Sequence, residues 1–539
     1  MKRTVALAIV SMAAALFPTG MASAESQRLG KERYLDKLKG AWAGQMFGVC
    51  FGWPYEFVSN AKPILEDLKP WAPERIKDAI NQDDIYVEMT FLKSLEDHGL
   101  DITHEQAGLD FAASGYQLWH ANLFGRENVR KGILPPMSGH PLYNQHADDI
   151  DFQIEADLIG IICPGMPQES NRLCDIFGRI MNYGDGLYGG MFVAAMYSAA
   201  YFEDTDVRKV IDAGLAAIPK ASKYHQIISD VIQWHGEKPN DWLAVWYQIE
   251  EKWQDDVDCL PGSPVNINAL LNGAYIVMGL LFGEGDMAKT IEISVRCGQD
   301  ADCNPSNAAG VLGCMKGFAA LDANWTSGIP AIADTNFAYT EYSWNTLAPA
   351  CQRMSEAILK REGGAIEDDH YLIPVQSPKP PVTLEQWADR SDGASVTQRD
   401  IDFWQEGWRL VACGTRMEPG YNDKEFGRHG ILKLHPVDEQ SPAVIARDIV
   451  VPNTASPKLS IDVASYKSWR GESRVGDYVL KIFVNDVLAD EVAVASPGKW
   501  LTVEVDLKSY AGKTMPVRIE NHANGWFYEG AYLDKPRVE

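Results

Sequence analysis

The chain of 539 residues is short of basic side chains: 49 Lys and Arg stand against 74 Asp and Glu, a formal charge of −25. That deficit excludes the basic footprint that nucleic acid requires, and it disfavours an anionic membrane surface. It also repels a polyanionic substrate at long range unless a cation or a local basic patch compensates. The nine cysteines include no C-x-x-C pair, so a zinc ribbon is not indicated. No G-x-G-x-x-G follows a strand and no Walker sequence occurs, which removes the common nucleotide-binding loops. No β-patterned run is found before about residue 370, and after the first two dozen residues no stretch is long and apolar enough to span a bilayer.

What is present begins with an export signal. Lys2 and Arg3 lead an apolar run from Val5 to Phe17, and Ala22-Ser23-Ala24 has the form of a cleavage site. Residues 1–24 are expected to be removed, leaving a periplasmic or secreted protein. Export permits disulfides. Cys297 and Cys303 bracket an acidic loop and can staple it, although small buried thiols fit them better.

The chain is organised around Cys297-Gly298-Gln299-Asp300-Ala301-Asp302-Cys303-Asn304-Pro305. Two carboxylates lie two residues apart in a loop. Asn304 as N-cap and Pro305 in the first helical position predict a helix after it. Gly310, Gly313 and Gly317 thin one side of that helix, so a neighbour can come close. Asn81-Gln82-Asp83-Asp84 opens a second helical run, through Ile85, Val87, Phe91 and Leu95 to Gly99. Carboxylates suit a helix entrance, and hard cations take oxygen ligands. If the two entrances met, four buried carboxylates would repel one another without a cation. A first helix over residues 31–54 carries Gly40, Gly44, Gly48 and Gly52 at every fourth position, a stripe for close packing, with Glu56 just past its end.

These motifs resemble those of the ADP-ribosylglycohydrolase family, all-helical enzymes with a glycine-rich helix ending in G-D-x-x-G-x-P-x-E, then T-D-D-T, then G-x-D-x-D-T. Gly48 to Glu56, Gln82 to Ile85 and Gly298 to Cys303 follow in that order and spacing. Val49, Gln82, Ile85 and Cys303 depart from the pattern. In the family, the motifs bind two magnesium or manganese ions. The resemblance implies an all-α domain over residues 28–362 and a divalent cation, magnesium or manganese with calcium as an alternative, as one ion or two. Its ligands would be Gln82, Asp83, Asp84, Asp300, Asp302 and Cys303, although a soft thiol is a poor magnesium ligand. It also implies that Glu56 lies at the metal and ribose site.

Two further stretches carry candidates. In His146 to Gly160, Asp151 and Glu155 share a helix face, which Asp148 and Asp149 can cap. A pocket wall and a solvated face fit this acid density equally. Asp151 and Glu155 join Glu56 as candidate catalytic carboxylates, and Asp149 as a substrate ligand. In Asn182 to Gly190, four glycines before a helix permit close backbone approach, and N–H groups at a helix entrance can hold a phosphate or sugar hydroxyls. Tyr183, Asp185, Tyr188 and Gly189 are therefore read as substrate-binding. Trp234, Trp242, Trp246 and Trp253 read as core.

Pro374, Pro378, Pro380 and Pro381 mark a linker over residues 363–400. From 401 to 539 the pattern has period two, with an Asn485-Asp486 turn after Val479 to Val484, and predicts a jelly-roll-like β-sandwich. Asp506 to Lys513 resembles the strand and turn of carbohydrate-binding sandwiches attached to secreted glycosidases. Trp469, Trp500, Trp526, Tyr528 and Tyr532 are candidate sugar platforms, each better read singly as core.

Three functions follow: hydrolysis of a glycosidic bond in an extracellular glycan or glycoconjugate, removal of ADP-ribose from a modified protein or small molecule, and sugar binding without catalysis. The first two share an oxocarbenium-like transition state, with a metal orienting hydroxyls and water while a carboxylate moves the proton. Export, acidity and the sandwich favour the glycan. Retention of Asp83, Asp84, Asp300, Asp302 and Glu56 weighs against the third. The partner is a carbohydrate or an ADP-ribosylated substrate, with no nucleic acid and no membrane span; nothing in the pattern specifies an oligomeric state.

Overall fold

The computed structural model describes residues 25–255, 264–386, 398–414, 416–417, 419–467, 476–526 and 528–539. The expected export signal and Trp469 lie outside the described residues. No described helix is long and apolar enough to cross a membrane.

A helical body running to Arg361 is followed by a β-sandwich. The body opens with the helix Lys31–Gly52, buried at every position from Gly40 on. A helix closed off from water on all sides needs another backbone beside it, and here that is the helix Cys303–Lys316. A Cβ added to Gly44 would lie 2.1 Å from the carbonyl oxygen of Ala309, and one on Gly48 2.2 Å from that of Pro305. From the other side, a Cβ on Gly313 would lie 2.1 Å from the carbonyl oxygen of Gly40. The two glycine stripes predicted separately thus lie on each other, backbone to backbone. This packing sets the C-terminal end of the first helix beside Asp300 and Asp302.

The second of these helices begins earlier than expected. Asp302 is its N-cap and Cys303 its first residue. The turn is already closed by Asn304 N donating to Asp300 O at 3.2 Å and Ser306 N to Asp302 O at 3.0 Å. The Asn304 amide instead reaches Asn272 Oδ1 at 2.8 Å, and Pro305 is tolerated because no first-turn N–H is needed there.

The expectation of no strand before residue 370 is corrected. Ser26–Gly30 pairs antiparallel with His370–Pro374, which also pairs with Ala365–Ile366, closing the helical body with a small sheet. Strands of two to five residues are too short to show a period. Much of the proline-rich segment is therefore anchored: Arg179 bonds Glu385 at 2.7 Å, and Gln168 N donates to Gln376 Oε1 at 3.0 Å.

In the sandwich, one sheet runs in the order Val487–Val494, Tyr478–Val484, Thr514–His522, Ala443–Val450, Arg409–Ala412. The other runs Leu501–Asp506, Lys458–Ser465, Ala531–Leu533, Arg428–Leu434, Gly420–Glu425. Ile445, Ile482 and Ile519 meet Leu432, Ile461 and Val503 in one core. The Asn485-Asp486 turn has φ of 53° and 61°, the doubly left-handed form that matches strand twist. Lys131 Nζ reaches across from the helical body to Asp400 at 3.1 Å.

Candidate active site

The two acidic entrances converge. A cleft of about 590 Å³, within the ordinary range of ligand sites, is lined by Glu56, Asp83, Asp151, Asp300, Asp302 and His120. Asp84 stands in the same cluster: donor atoms of Asp84, Asp302 and Cys303 all lie within 4.8 Å of one another. More than two hundred residues separate the pairs in sequence; the glycine-packed helices close that distance.

The loop carrying Asp300 and Asp302 is fixed from behind. Gly298 and Gln299 take φ of 81° and 57°. The Gln299 side chain accepts from Asn266 N at 2.9 Å and donates to Pro264 O at 2.9 Å. Cys297 and Cys303 are both free and buried, so hydrogen bonds, not a disulfide, hold the loop.

Burial is the largest influence on each acid of the cluster. It raises the Asp300 carboxyl to about 7. Burial, then the charge of Asp302, pushes Asp84 well above its usual range, and burial, then Asp300, does the same to Asp302. Asp84 Oδ1 and Asp302 Oδ1 are buried without a hydrogen-bond partner. Orphaned carboxylate oxygens in one buried cluster fit a hard divalent cation, which would replace repulsion with ligation. Asp83, Asp84, Asp300 and Asp302 are the residues to hold it. Cys303 stands with Asp84 and Asp302 in this donor group, and without an ion its thiol donates to Asp84 Oδ2 at 3.5 Å, with burial pushing the thiol well above its usual range. It orients an acid. Gln82 is the N-cap of the helix Asp83–His98, with its side chain on the cleft wall.

The other carboxylates divide by depth. Glu56 follows the short turn Trp53–Tyr55 and is exposed at the cleft. Asp151 accepts from Ala121 N at 3.2 Å and Asn122 N at 3.0 Å, capping the helix His120–Arg130, and burial lifts it to about 7. Glu155 is one turn deeper, bonded by the Asn122 amide and raised well above its usual range by burial. The N-cap of the helix Asp151–Glu155 is Ile150, and the first-turn Phe152 N donates to Asn182 Oδ1 at 3.0 Å. Asp148 accepts from Asn268 Nδ2 at 2.7 Å and Asp149 lies against His146.

The loop Asn182 to Gly190 is placed elsewhere. None of Tyr183, Asp185, Tyr188 and Gly189 is on the cleft lining. Gly184, Gly186 and Gly189 have the G-x-G-x-x-G spacing, but they follow a helix and serve packing. A Cβ on Gly186 would lie 2.5 Å from Ala147 O. Asp185 accepts from Tyr224 N at 2.8 Å, the Tyr188 hydroxyl accepts from Glu385 N at 2.9 Å, and Tyr183 stands edge-on to His140. Glycine density marks close approach, here of protein to protein.

Sequence reading missed His120, Trp53 and Trp119, all on the cleft. They are isolated in loops or at helix ends, where no periodicity marks them. It also missed that Tyr466 joins Tyr528 there from the sandwich, the two rings stacked at 4.5 Å and 27°. Of the other aromatics, Tyr532 is buried and Trp500 packs on Phe426.

The sequence profile of the family described as ADP-ribosylglycohydrolase matches residues 30–356. Among solved structures, an "ADP-ribosylglycohydrolase-related protein complex" aligns at 17% identity over 60% of this chain and 99% of that one, with a TM-score of 0.38. A quarter of the chain aligns with a family 35 carbohydrate binding module from an environmental isolate, at 17% identity over 90% of the module and a TM-score of 0.18. A CBM35 from Paenibacillus barcinonensis aligns similarly, at 16% identity over 25% of this chain and 94% of that one, with a TM-score of 0.17. No curated protein matches the chain. With the profile covering more than half its length and the acidic motifs meeting in one cleft, the chain belongs to the ADP-ribosylglycohydrolase family.

Proposed function

We propose that the protein is a periplasmic or secreted hydrolase of a glycosidic bond in a glycan or glycoconjugate, assisted by a divalent cation in the acidic cleft. The observation that carries this reading is the shared lining: the stacked Tyr466 and Tyr528 of the sandwich stand in the same cleft as Asp83, Asp300 and Asp302. An aromatic slab beside carboxylates suits a sugar ring, whose C–H face packs on the aromatic while its hydroxyls meet acceptors. A bound cation would supply electrostatic stabilisation and orient hydroxyls. Among the protein's own groups, Glu56 is the exposed carboxylate at the reacting face, suited to taking a proton from water. Asp151, raised to about 7, can carry a proton near neutral pH and give it to a leaving oxygen.

The test is a screen of p-nitrophenyl glycosides and an ADP-ribosylated peptide with Mg²⁺, Mn²⁺ or Ca²⁺. Cleavage of a glycoside but not the peptide is the expected result; cleavage of the peptide alone would overturn the glycan reading. On a glycoside that is cleaved, replacing both Tyr466 and Tyr528 by Ala should raise KM about tenfold. The metal requirement should be unchanged. An unaltered KM would remove the tyrosine pair from the substrate site.

A further inference from the structure

Beside the acidic cluster lies a group of different chemistry. His120 opens the helix His120–Arg130, while His146 and Asp149 belong to the loop before Asp151. His146 Nδ1 lies 2.6 Å from Asp149 Oδ2, and His120 Nδ1 lies 3.5 Å from the same oxygen. The imidazole centroids are 5.2 Å apart at 76°, and donor atoms of all three residues lie within 4.8 Å of one another. The side chains of Asp149 and His146 are 0% and 6% exposed; that of His120 is 28% exposed and lines the cleft.

The arrangement is held in place. Asn182 Nδ2 donates to Asp149 O at 2.7 Å, His146 N donates to Asn144 Oδ1 at 3.0 Å, and Asp149 N donates to His146 O at 2.9 Å. His120 sits at φ 42°, in the left-handed region, where a non-glycine residue carries strain that surrounding structure must maintain.

We propose that His120, His146 and Asp149 bind a zinc-class divalent ion, separate from the hard-cation cluster, with its fourth position open to the cleft. Two imidazoles and one carboxylate are the donor set that such ions favour, and three protein ligands with one open position is their reactive form. Bonds of ~2.0–2.1 Å at tetrahedral angles put ligand atoms ~3.3 Å apart. The observed 2.6 and 3.5 Å bracket that spacing, so shifts of a few tenths of an ångström admit an ion. His146 would then carry its proton on Nε2, and the Gln145 side-chain amide, whose nitrogen lies 3.5 Å away and whose Oε1 is buried without a partner, would turn over to accept it. An ion there would present its open position to an oxygen of whatever occupies the cleft. The site stands independently of the glycoside reading.

The test uses the full chain, stripped by chelator and then held in excess Mg²⁺ to fill any hard-cation site. Zn²⁺ and Co²⁺ are titrated, with uptake measured by elemental analysis and Co²⁺ coordination by visible absorption. One equivalent taken up despite Mg²⁺, with the intense bands of a four-coordinate ion, is expected. His120→Ala and His146→Asn should each weaken it at least tenfold, while Asp302→Asn should not. His120 lies at the cleft surface, so His120→Ala should fold; its metal-free melting curve verifies this. Uptake or a spectrum unchanged in His120→Ala, or no uptake by the wild type beyond that variant, would overturn the proposal.

Discussion

Asp302→Asn is expected to reverse its effect on stability when a divalent cation is added. In chelator, the variant should melt above the wild type; in millimolar Mg²⁺ or Mn²⁺, below it. The substitution keeps the volume and removes one charge from a cluster in which Asp302 is raised by burial and by Asp300, and Asp84 by burial and by Asp302. Without a cation, that charge is a cost. With one, the wild type gains RT ln(1 + [L]/Kd), about 2.7 kcal/mol at a hundred times Kd, and the variant, its affinity weakened roughly 10- to 100-fold or more, gains about 1.4 to 0.4 kcal/mol or less at the same concentration. Hydrolysis should be lost with the affinity.

The pH dependence has a fixed sign. Carboxyls with a raised folded pKa stabilise the metal-free protein fully below their unfolded value, and that stability is lost as pH rises through the folded value. For Asp300 the window runs from about 4 to about 7. Metal-free wild type should therefore melt lower at pH 8 than at pH 5, and the cation-induced rise should be larger at pH 8. Melting curves in chelator and in Mg²⁺ at both pH values decide it. A wild type indifferent to cations at both would sink the metal reading, leaving chemistry to Glu56, Asp151 and Glu155.

The parts of this site legible in the sequence are those where a backbone rule forces a residue type. Asp83 and Asp84 opening one helix, Asp300 and Asp302 another, and glycines at every fourth residue of Lys31–Gly52 are local signals, and together they imply a meeting. The Asn485-Asp486 hairpin was readable for the same reason. Where residue type had two uses, the sequence did not choose. The glycines of Asn182 to Gly190 pack closely against neighbouring protein, away from the cleft lining, and Cys303 both bonds an acid and stands among the candidate metal donors. The small sheet escaped because its strands are short. His120 escaped because its distance from His146 and Asp149 is set by tertiary packing alone.

The second large effect concerns the packing that builds the site. In an exposed helix, Gly→Ala stabilises by about 0.5–1 kcal/mol. Gly236, exposed near the end of Lys223–Glu237 with nothing within 4 Å of an added Cβ, should show this gain. Gly48→Ala should do the opposite, because its Cβ would meet Pro305 O at 2.2 Å and Pro305 C at 2.4 Å, backbone atoms that no rotamer change can move. Overpacking of this kind costs about 3 kcal/mol, far more than the helix-propensity gain. Gly52→Ala adds a second consequence: its Cβ would lie 2.0 Å from Ala301 O and 2.6 Å from Asp302 Cα, so relief of the clash displaces the acid itself. Denaturant unfolding and cation titration of the three variants separate these effects. The expected order is Gly236→Ala more stable than wild type, Gly48→Ala much less stable, and Gly52→Ala the weakest cation binder. Gly48→Ala as stable as Gly236→Ala would mean that the two helices do not touch along their glycines. Gly52→Ala binding cations like the wild type would mean that their contact does not set the position of Asp302.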